Sequence, residues 1–504
     1  MANNRLAAQI VGNVCKDNSS PWVTREQLEN YTKKNGGNII DIMSAAKEKL
    51  IVSANGLYTT KELHVMENSI CEELLRIHYE YPLQQVEEKA ILKLISDYEK
   101  ENAPIKFDFI QKQAVVTAVN NRVSVLTGGP GTGKTTVISC ISYCLRRIHK
   151  TIGIVYSAPT SMAASRLAEA TGEDAVTVHK YFGITPNGLV KNTFCQDVLI
   201  IDEMSFLDMI TLSQVLSNIE SKTRLILCGD PHQLPSVGIG RCFKDIVDSN
   251  VLPITKLIKT FRQEEGSLLL KNIKLVKRGE IELEKGTDFH PVQISRDMET
   301  REIEKRILKI YLGAVKAKGI ENVKLIVPTN NTPIGTKNLN KHIQHLLNPD
   351  GVPFKCKLYG EEVMYKVGDP VVQKKNQEYA NNGEIGYVTA VSSTSLTVKY
   401  KNGENIYTKE TIEELELGYA ITVHKSQGSE AEVVISVCLK EHTRLFNRNF
   451  LFTAISRSKK QHVIIYHEAA LKECLSKDAY NNRYSRLGHK LYVLNSRYKL
   501  AIAS

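Results

Sequence analysis

The stretch Gly128-Gly-Pro-Gly-Thr-Gly-Lys134-Thr135 decides the fold of this chain. It follows an apolar run at residues 123–127 and precedes a segment with helical character. A glycine-rich loop between a strand and a helix presents backbone N–H groups and a helix N-terminus to phosphate groups. We therefore predict a nucleoside triphosphate site in a parallel α/β sheet. In it, Lys134 faces the β and γ phosphates and the Thr135 hydroxyl binds Mg²⁺.

Short apolar strands alternate with helical segments on both sides of this loop, which favours parallel sheets. The first set of strands is predicted at residues 123–127, 152–157, 198–202 and 224–229, and the second set at 325–327, 433–437 and 462–466. Between residues 367 and 415, β runs at 370–373, 385–390, 396–400 and 405–407 alternate with turn residues. They predict a small antiparallel barrel, similar to an SH3 barrel, inserted into the second sheet.

Residues 1–62 predict a separate small unit. A polar helix at 24–33, a helix at 39–49 and two β runs joined by Asn55-Gly56 give the outline of a winged helix. Residues 63–104 carry helical periodicity and predict a helical connector. The predicted domains are therefore 1–62, 63–104, 105–262 and 263–504.

Composition excludes several classes of protein. Apolar residues make up 42% and charged residues 24% of the 504 residues, as in ordinary globular chains. No apolar run reaches the roughly 18–20 residues of a membrane helix, and the first residues make a poor secretory signal. Ten cysteines without a CxxC pair favour neither a disulfide scaffold nor a zinc module. We expect a reduced, cytoplasmic protein without a membrane partner.

The net charge of +11 permits a polyanionic partner without requiring one. The segment Ala479–Ser504 contains basic residues and no acidic residue. Its composition leaves two readings open, a solvated basic tail and a segment that contacts nucleic acid.

Asp202-Glu203 follows the apolar run Leu199-Ile-Ile. An acidic residue at the end of a neighbouring strand can hold the magnesium ion, and the next carboxylate can orient the attacking water. We therefore assign Asp202 to the metal and Glu203 to catalysis.

The motifs after the phosphate loop resemble those of superfamily 1 helicases, closest to the RecD-like branch (group B), across residues 105–504. In family order the matching segments are Gln111-Lys-Gln-Ala114, the phosphate loop, Ala158-Pro-Thr160, Thr177-Val-His179, Asp202-Glu-Met-Ser205, Gly229-Asp-Pro-His-Gln233-Leu-Pro-Ser-Val237, Thr260-Phe-Arg262-Gln, Pro328 through Leu339-Asn340, Thr422-Val-His-Lys-Ser-Gln-Gly428-Ser-Glu430 and Phe452-Thr-Ala-Ile-Ser-Arg457. The resemblance implies two RecA-like domains. The chain departs from the family pattern at Met204, where relatives commonly carry alanine.

The resemblance also implies roles at the nucleotide. Gln111 would read the adenine edge, and Gln233 would sense the γ-phosphate or position water, ahead of a loop that faces DNA. Arg262 and Arg457 would be arginine fingers, which lower the barrier to hydrolysis by neutralising charge on the transferring phosphoryl group. The expected nucleotide contacts are Gln111, Gly128, Gly129, Pro130, Gly131, Thr132, Gly133, Lys134, Thr135, Thr136, Gly428 and Glu430, with Thr135 and Asp202 as metal ligands.

The residues that the resemblance implies would contact single-stranded DNA are Pro159, Thr160, His179, Thr422, His424 and Ser426. Hydroxyl, imidazole and backbone groups can hold phosphates without reading the base sequence. Residues 182–196, with a turn at Pro186-Asn187-Gly188, are the expected place for a strand-separating hairpin in which Phe182, Leu189 or Phe194 faces the parting bases.

The motifs and the resemblance together predict an ATP- and Mg²⁺-dependent DNA helicase, expected to act as a monomer on single-stranded and tailed duplex DNA, and the group B resemblance implies movement 5′ to 3′. The expected pathways are repair, recombination or replication, with protein partners from those pathways. The alternatives are an RNA helicase of the same superfamily, a helicase-like subunit of a nuclease or repair complex that only binds DNA, and the motor half of a relaxase or recombination nuclease.

Overall fold

The chain folds into two compact units. The computed structural model describes residues 2–35, 50–185, 187–261, 266–358, 361–443 and 445–503. The first unit comprises Met1–Pro159, Ala164–Phe261 and Ala479–Ser504, and the second comprises Thr160–Ala163 and Arg262–Asp478. The final segment of the chain therefore belongs to the first unit.

The first unit is built on a six-stranded parallel sheet in the order β6-β5-β7-β8-β4-β9. Its strands are β4 (Val123–Gly128), β5 (Ile154–Ala158), β6 (Ala175–Thr177), β7 (Val198–Ile201), β8 (Arg224–Gly229) and β9 (Ile254–Leu257). Strands β4, β7 and β8 are buried along their whole length because helices cover both faces of the sheet. The predicted parallel α/β fold is confirmed, although the sequence did not indicate β6 and β9.

Helices of the first unit divide the core into two layers. They are α1 (Ala2–Asp17), α2 (Arg25–Asn35), α3 (Lys61–Tyr79), α4 (Glu88–Glu101), α5 (Phe109–Asn120), α6 (Lys134–Ile148), α7 (Ser161–Thr171), α8 (Val178–Phe182), α9 (Met209–Leu216) and α10 (Cys242–Ser249). One buried layer joins α4, α5 and α6 to the face that carries Val198 and Ile200. The other joins α1, α3, α9 and α10 to the face that carries Leu199 and Ile201, since successive side chains of a strand alternate.

The N-terminal elements share this second layer. Strands β2 (Ile51–Ala54) and β3 (Leu57–Thr60) pair through a turn at Asn55-Gly56, where both residues have positive φ, and β1 (Val23–Thr24) adds a third strand. The hairpin and the helix at Arg25–Asn35 agree with the sequence prediction. The predicted helix at 39–49 lies outside the described residues. Helix α1 was not predicted.

The segment Ala479–Ser504 is an integral part of the first unit rather than a solvated tail. Its helix Leu487–Ala503 lies against α3 and α10, with Leu487 and Leu491 buried in the second layer. Lys490 forms an ion pair with the buried Glu67 at 2.9 Å, and the Arg486 guanidinium lies 5.6 Å from the centre of the Trp22 ring. Two of the basic residues that composition could not assign, Arg486 and Lys490, therefore contact partners within the protein.

Replacing Leu491 with alanine is expected to destabilise the first unit by about 2–5 kcal/mol, because the change leaves a cavity in a closely packed core. Trp22 is the only tryptophan of the chain and is buried in this unit, so its fluorescence in a urea titration reports this transition. Tyr492→Ala is the matched control, since Tyr492 on the same helix is 62% exposed. Equal midpoints for the two variants would contradict the packing described here.

The second unit contains a five-stranded parallel sheet in the order β10-β21-β20-β11-β19. Its strands are β10 (Phe289–Gln293), β11 (Val323–Val327), β19 (Ala420–Thr422), β20 (Ala431–Cys438) and β21 (Ser458–Tyr466), and the helices of the unit are α11 (Leu268–Arg278), α12 (Thr300–Lys318), α13 (Thr336–Leu347), α14 (Arg448–Ser456) and α15 (Glu468–Ser476). The three predicted strands are β11, β20 and β21. In the part of the chain that the structure describes, no helix is both long and apolar enough to span a bilayer.

An antiparallel region is inserted before β19. Strands β14 (Pro370–Gln373), β15 (Ile385–Val391), β16 (Ser395–Tyr400), β17 (Gly403–Thr408) and β18 (Leu415–Leu417) form a sheet in the order β17-β16-β15-β14-β18. A preceding hairpin of β12 (Pro353–Leu358) and β13 (Glu361–Lys366) packs Phe354 and Tyr365 into the same core. The predicted antiparallel strands are present, and their closure into a barrel stays a prediction.

Candidate nucleotide site

Strand order brings three predicted motifs of the first unit to one edge of the sheet. Strands β7, β8 and β4 are neighbours and end at Ile201, Gly229 and Gly128. Thr127 pairs with Gly229, and Ile201 pairs with Leu227, so the three strands end almost level. Ligands of open α/β sheets bind at the carboxyl ends of the strands. The phosphate loop, Asp202-Glu203 and the segment after Gly229 therefore converge there.

The phosphate loop connects β4 to α6. Lys134 is the first residue of that helix, and its Nζ donates hydrogen bonds to the carbonyl oxygens of Gly128 and Gly129 at 2.8 and 3.2 Å. Its ammonium group thus lies over the loop. Together with the positive end of the helix dipole, it makes the loop favourable for phosphate.

Two glycines show why the loop has this composition. Gly133 has a φ of 80°, which side-chain-bearing residues rarely adopt, and a Cβ there would lie 2.7 Å from Nε2 of Gln111. At Gly128 a Cβ would lie 2.6 Å from the Thr132 hydroxyl. A side chain at either position would therefore clash with neighbouring atoms of the loop region.

Gln111 is buried under this loop and holds it in place. Its Nε2 donates to the carbonyl of Thr132 at 3.1 Å, while its Oε1 accepts from the backbone N–H of Asp108 at 3.0 Å. Asp108 completes a capping box at the start of α5. The Asp-x-x-Gln pattern of residues 108–111 is the sequence signal for this capping box. The role of Gln111 in reading adenine stays a prediction.

Asp202 and Glu203 follow β7 directly. The backbone N–H of Glu203 donates to Oδ1 of Asp202 at 2.8 Å, and Glu203 has a φ of 53°. Such a conformation is uncommon for a residue with a side chain and concentrates at functional sites. The Oε2 atom of Glu203 is buried and has no hydrogen-bond partner among the described residues. It is therefore suited to accept a hydrogen bond from a ligand or a water molecule.

The electrostatics of this pair also suit a cation. Burial raises the pKa of the Asp202 carboxyl above its ordinary range, and the neighbouring Glu203 carboxylate adds to the rise. The Lys134 ammonium and the backbone hydrogen bond from Glu203 lower it. Two adjacent, partly buried acidic groups carry negative charge that a divalent ion would neutralise.

Ser205 joins the acidic motif to the segment that carries Gln233. Its Oγ lies 2.6 Å from the carbonyl oxygen of Asp230, to which it donates, and 3.2 Å from the Asp230 nitrogen. Gln233 is buried, and its backbone N–H donates to the Asp230 carbonyl at 3.2 Å. Met204, the departure from the family pattern, is fully buried in the second layer of the core. The substitution therefore lies in the packing beneath the site.

In the second unit, the segment from Thr422 to Glu430 runs from the carboxyl end of β19 back to the amino end of β20. Thr422 ends β19 beside Val327, whereas Glu430 precedes β20, whose first residue pairs with Ser458. The residues predicted for DNA at the start of the segment are therefore separated from Gly428 and Glu430, which are predicted for nucleotide.

Arg457 lies at the same edge as Glu430. The Arg457 guanidinium is buried at the end of α14, where its Nε donates to the Thr453 carbonyl at 3.2 Å and its Nη2 to Oγ of Ser456 at 3.0 Å. Glu430 lies 3.9 Å from the ammonium of Lys459. Arg262 falls outside the described residues. The finger roles of Arg262 and Arg457 stay predictions.

The residues predicted for DNA differ in exposure. His179, on the short helix that Thr177 caps, and His424 are exposed, whereas Ser426 is buried and donates to the Val423 carbonyl at 2.7 Å. Thr160 caps α7 by accepting from the Ala163 nitrogen at 3.2 Å. Pro159 is half-buried and Thr422 is buried. The two histidines are thus accessible to a strand, while the side chains of Thr160 and Ser426 bond to the backbone.

Two family models match the chain. One, described as an AAA domain, matches residues 111–239, and one described as a UvrD-like helicase C-terminal domain matches residues 417–465. The chain is 32% identical over 345 residues to the ATP-dependent RecD2 DNA helicase of Deinococcus radiodurans, an alignment that covers 67% of this chain and 46% of that protein. These matches support the assignment of the chain to the RecD-like helicases of superfamily 1.

Other RecD-like proteins match over more of their own length. The RecBCD enzyme subunit RecD of Mycolicibacterium smegmatis is 27% identical over 415 residues, which cover 73% of this chain and 73% of that subunit. A Pif1 helicase from Bacteroides, solved with ADP-AlF3 and single-stranded DNA, aligns with a TM-score of 0.44 at 21% identity and covers 71% of this chain and 92% of that one. Against the RecD2 protein, by contrast, this RecD-like chain spans only 46% of the relative's length.

Proposed function

We propose that this chain is an intracellular ATP-dependent DNA helicase that moves 5′ to 3′ along single-stranded DNA and unwinds duplex DNA. The observation that carries the proposal is one sheet edge of the first unit. It brings together the ammonium of Lys134, the carboxylates of Asp202 and Glu203, and the segment of Gln233. A subunit that only binds DNA need not retain all four of these groups.

Each group has a distinct task in hydrolysis. Lys134 and the loop N–H groups bind the phosphate chain, and the Thr135 hydroxyl and Asp202 would hold Mg²⁺. When bound, the ion neutralises charge that develops on the phosphate oxygens. The Glu203 carboxylate orients the attacking water and accepts its proton, and Gln233 positions that water or senses the γ-phosphate. Arg262 and Arg457 supply further positive charge.

Two assays on the purified chain test this function. We expect ATP hydrolysis that single-stranded DNA stimulates more than RNA of equal length does. We also expect displacement of a strand from a duplex with a 5′ tail and not from one with a 3′ tail. Stronger stimulation by RNA would favour an RNA helicase. Absence of hydrolysis with every strand tested would favour a subunit that only binds DNA.

The expected strand-separating segment, residues 182–196, is a tight loop. Its backbone closes through bonds from Thr185 N–H to the Leu189 carbonyl and from Lys191 N–H to the Phe182 carbonyl, and its described residues form no paired β-strands with each other. Phe182 and Phe194 are fully buried in the core, so neither can face parting bases. Pro186 lies outside the described residues. Of the three apolar side chains expected to face the parting bases, only Leu189 is exposed, at 67%.

We therefore expect Leu189→Ser to reduce unwinding of a 5′-tailed duplex about tenfold, comparable to the ~1.4 kcal/mol of stacking in one base-pair step. ATP hydrolysis stimulated by single-stranded DNA should stay within about twofold, because no residue of the nucleotide site lies in this loop. Asn187→Ser, a polar exchange at the same turn, is the control. If hydrolysis falls in parallel with unwinding, the loop is a DNA grip; if unwinding survives, the wedge lies elsewhere.

A further inference from the structure

Three segments that are distant in the sequence meet around the loop that follows Gln233. They are residues 19–22, residues 235–241 and residues 480–486, and all belong to the first unit. Residues 235–241 lie between Gln233, the proposed γ-phosphate sensor, and α10, and we call them the sensor loop. In the proposed function, Gln233 acts at the γ-phosphate and the sensor loop faces DNA.

The C-terminal segment holds two points of this region. Nη1 of Arg483 donates to the carbonyl oxygens of Gly238 and Gly240 at 3.2 and 2.9 Å. The hydroxyl of Tyr480 donates to the backbone carbonyl of Gln233 at 3.2 Å, and that hydrogen bond is buried. One segment thus contacts the backbone both at Gln233 and at the far side of the loop.

The N-terminal turn holds the sensor loop from a second direction. Oγ of Ser19 donates to the Val237 carbonyl at 3.0 Å, and the Gly240 N–H donates to the Ser19 carbonyl at 3.0 Å. The two holding segments also bond to each other, since the Trp22 N–H and the Ser20 hydroxyl both donate to the Tyr484 carbonyl at 3.2 and 3.1 Å. The three segments therefore close into one network.

This network fixes the backbone of the sensor loop but leaves its tip accessible. The side chain of Val237 is 80% exposed, although its own carbonyl accepts the bond from Ser19. Hydrogen bonds from a charged donor such as Arg483 are stronger than neutral ones. Because these bonds oppose local bending of the loop, we expect a displacement at Val237 to reach the buried Gln233.

We infer that Arg483 and Tyr480 are positioning residues, which hold the sensor loop so that DNA contact at its tip reaches Gln233 and raises the rate of ATP hydrolysis. The inference rests on the proposed function. It assigns to the last segment of the chain a role in coupling rather than in direct DNA binding.

The test is the split between kcat and KM in the presence and absence of single-stranded DNA. We expect R483M to lower the DNA-stimulated kcat about tenfold, while the KM for ATP and the kcat without DNA stay within about twofold of the wild type. R483K, which retains a charged donor, should recover at least half of the stimulation. Y480F removes one hydroxyl and should lower the stimulated kcat by a smaller factor.

R486M is the matched control. Arg486 lies in the same segment and carries the same charge, but its guanidinium lies over the Trp22 ring. Its DNA stimulation should equal that of the wild type. If R486M and R483M lose stimulation equally, the segment acts only by general stability and the inference is wrong.

Hydrogen exchange provides a readout that does not depend on hydrolysis. Amides of the sensor loop should exchange faster in R483M than in R486M, with exchange in α6 unchanged. Equal loop exchange in the two variants would overturn the inference while leaving the proposed function intact. A wild-type chain whose hydrolysis ignores DNA would instead overturn the proposed function, and the coupling role with it.

Discussion

Replacing Lys134 with alanine is expected to lower the steady-state rate of ATP hydrolysis by about a thousandfold or more, equivalent to about 4 kcal/mol of barrier. Lys134 places its ammonium over the phosphate loop, within 3.2 Å of the Gly129 carbonyl. Charge on the transferring phosphoryl group is stabilised mainly by such fixed cations, and a methyl group cannot replace one. The rate is measured with saturating single-stranded DNA.

Lys150→Ala is the control for this change, because Lys150 is an exposed lysine just beyond the same helix. It should hydrolyse ATP at the parental rate. Trp22 fluorescence should be the same in both variants, which shows that the first unit has folded. A rate for Lys134→Ala within about tenfold of the parent would mean that the phosphate site is assigned incorrectly.

Glu203→Gln is expected to lower kcat by about a hundredfold or more while Mg²⁺-ATP still binds, in the range that a lost general base typically costs. The Glu203 carboxylate has a buried oxygen without a hydrogen-bond partner among the described residues, and its backbone φ of 53° sets its direction. The amide has the same shape but cannot accept a proton from water. Binding of a fluorescent ATP analogue and single-turnover hydrolysis measure the two effects separately.

Asp202→Asn distinguishes the two acidic residues. Asp202 is the expected metal ligand. Compared with the parent, this variant should therefore bind the analogue more weakly when Mg²⁺ is present, while its affinity without Mg²⁺ should stay close to the parental value. Glu203→Gln should show no such difference. Loss of nucleotide binding in Glu203→Gln would give Glu203 a structural role and move the catalytic base elsewhere.

The nucleotide site of the first unit and the strands beside it could be predicted from the sequence because their signals are local. A loop position with positive φ favours glycine, as at Gly133, and a strand buried on both faces favours a continuous apolar run, as at Val198–Ile201. The strands that were missed are short or only partly buried, as β6 and β9 are, and a short apolar pattern does not stand out from its surroundings.

Residue roles that depend on distant partners could not be read in this way. Composition could not separate Arg483, which bonds to the sensor loop, from the exposed Arg497 of the same segment. In the same way, Phe182 and Leu189 are both apolar residues near one turn, yet the first is fully buried and the second is exposed. Burial is decided by what the rest of the chain places over a residue.

The sequence by itself determined the parallel α/β fold, the phosphate loop and the order of the motifs, because each depends on residues that are neighbours in the chain. Only the tertiary structure decided that Asp202, Gly229 and Gly128 share one edge, since strand order is set by the packing of whole helices on the sheet. It also decided that residues 480–486 return to hold the sensor loop, because hydrogen bonds between distant segments leave no periodic pattern in the sequence.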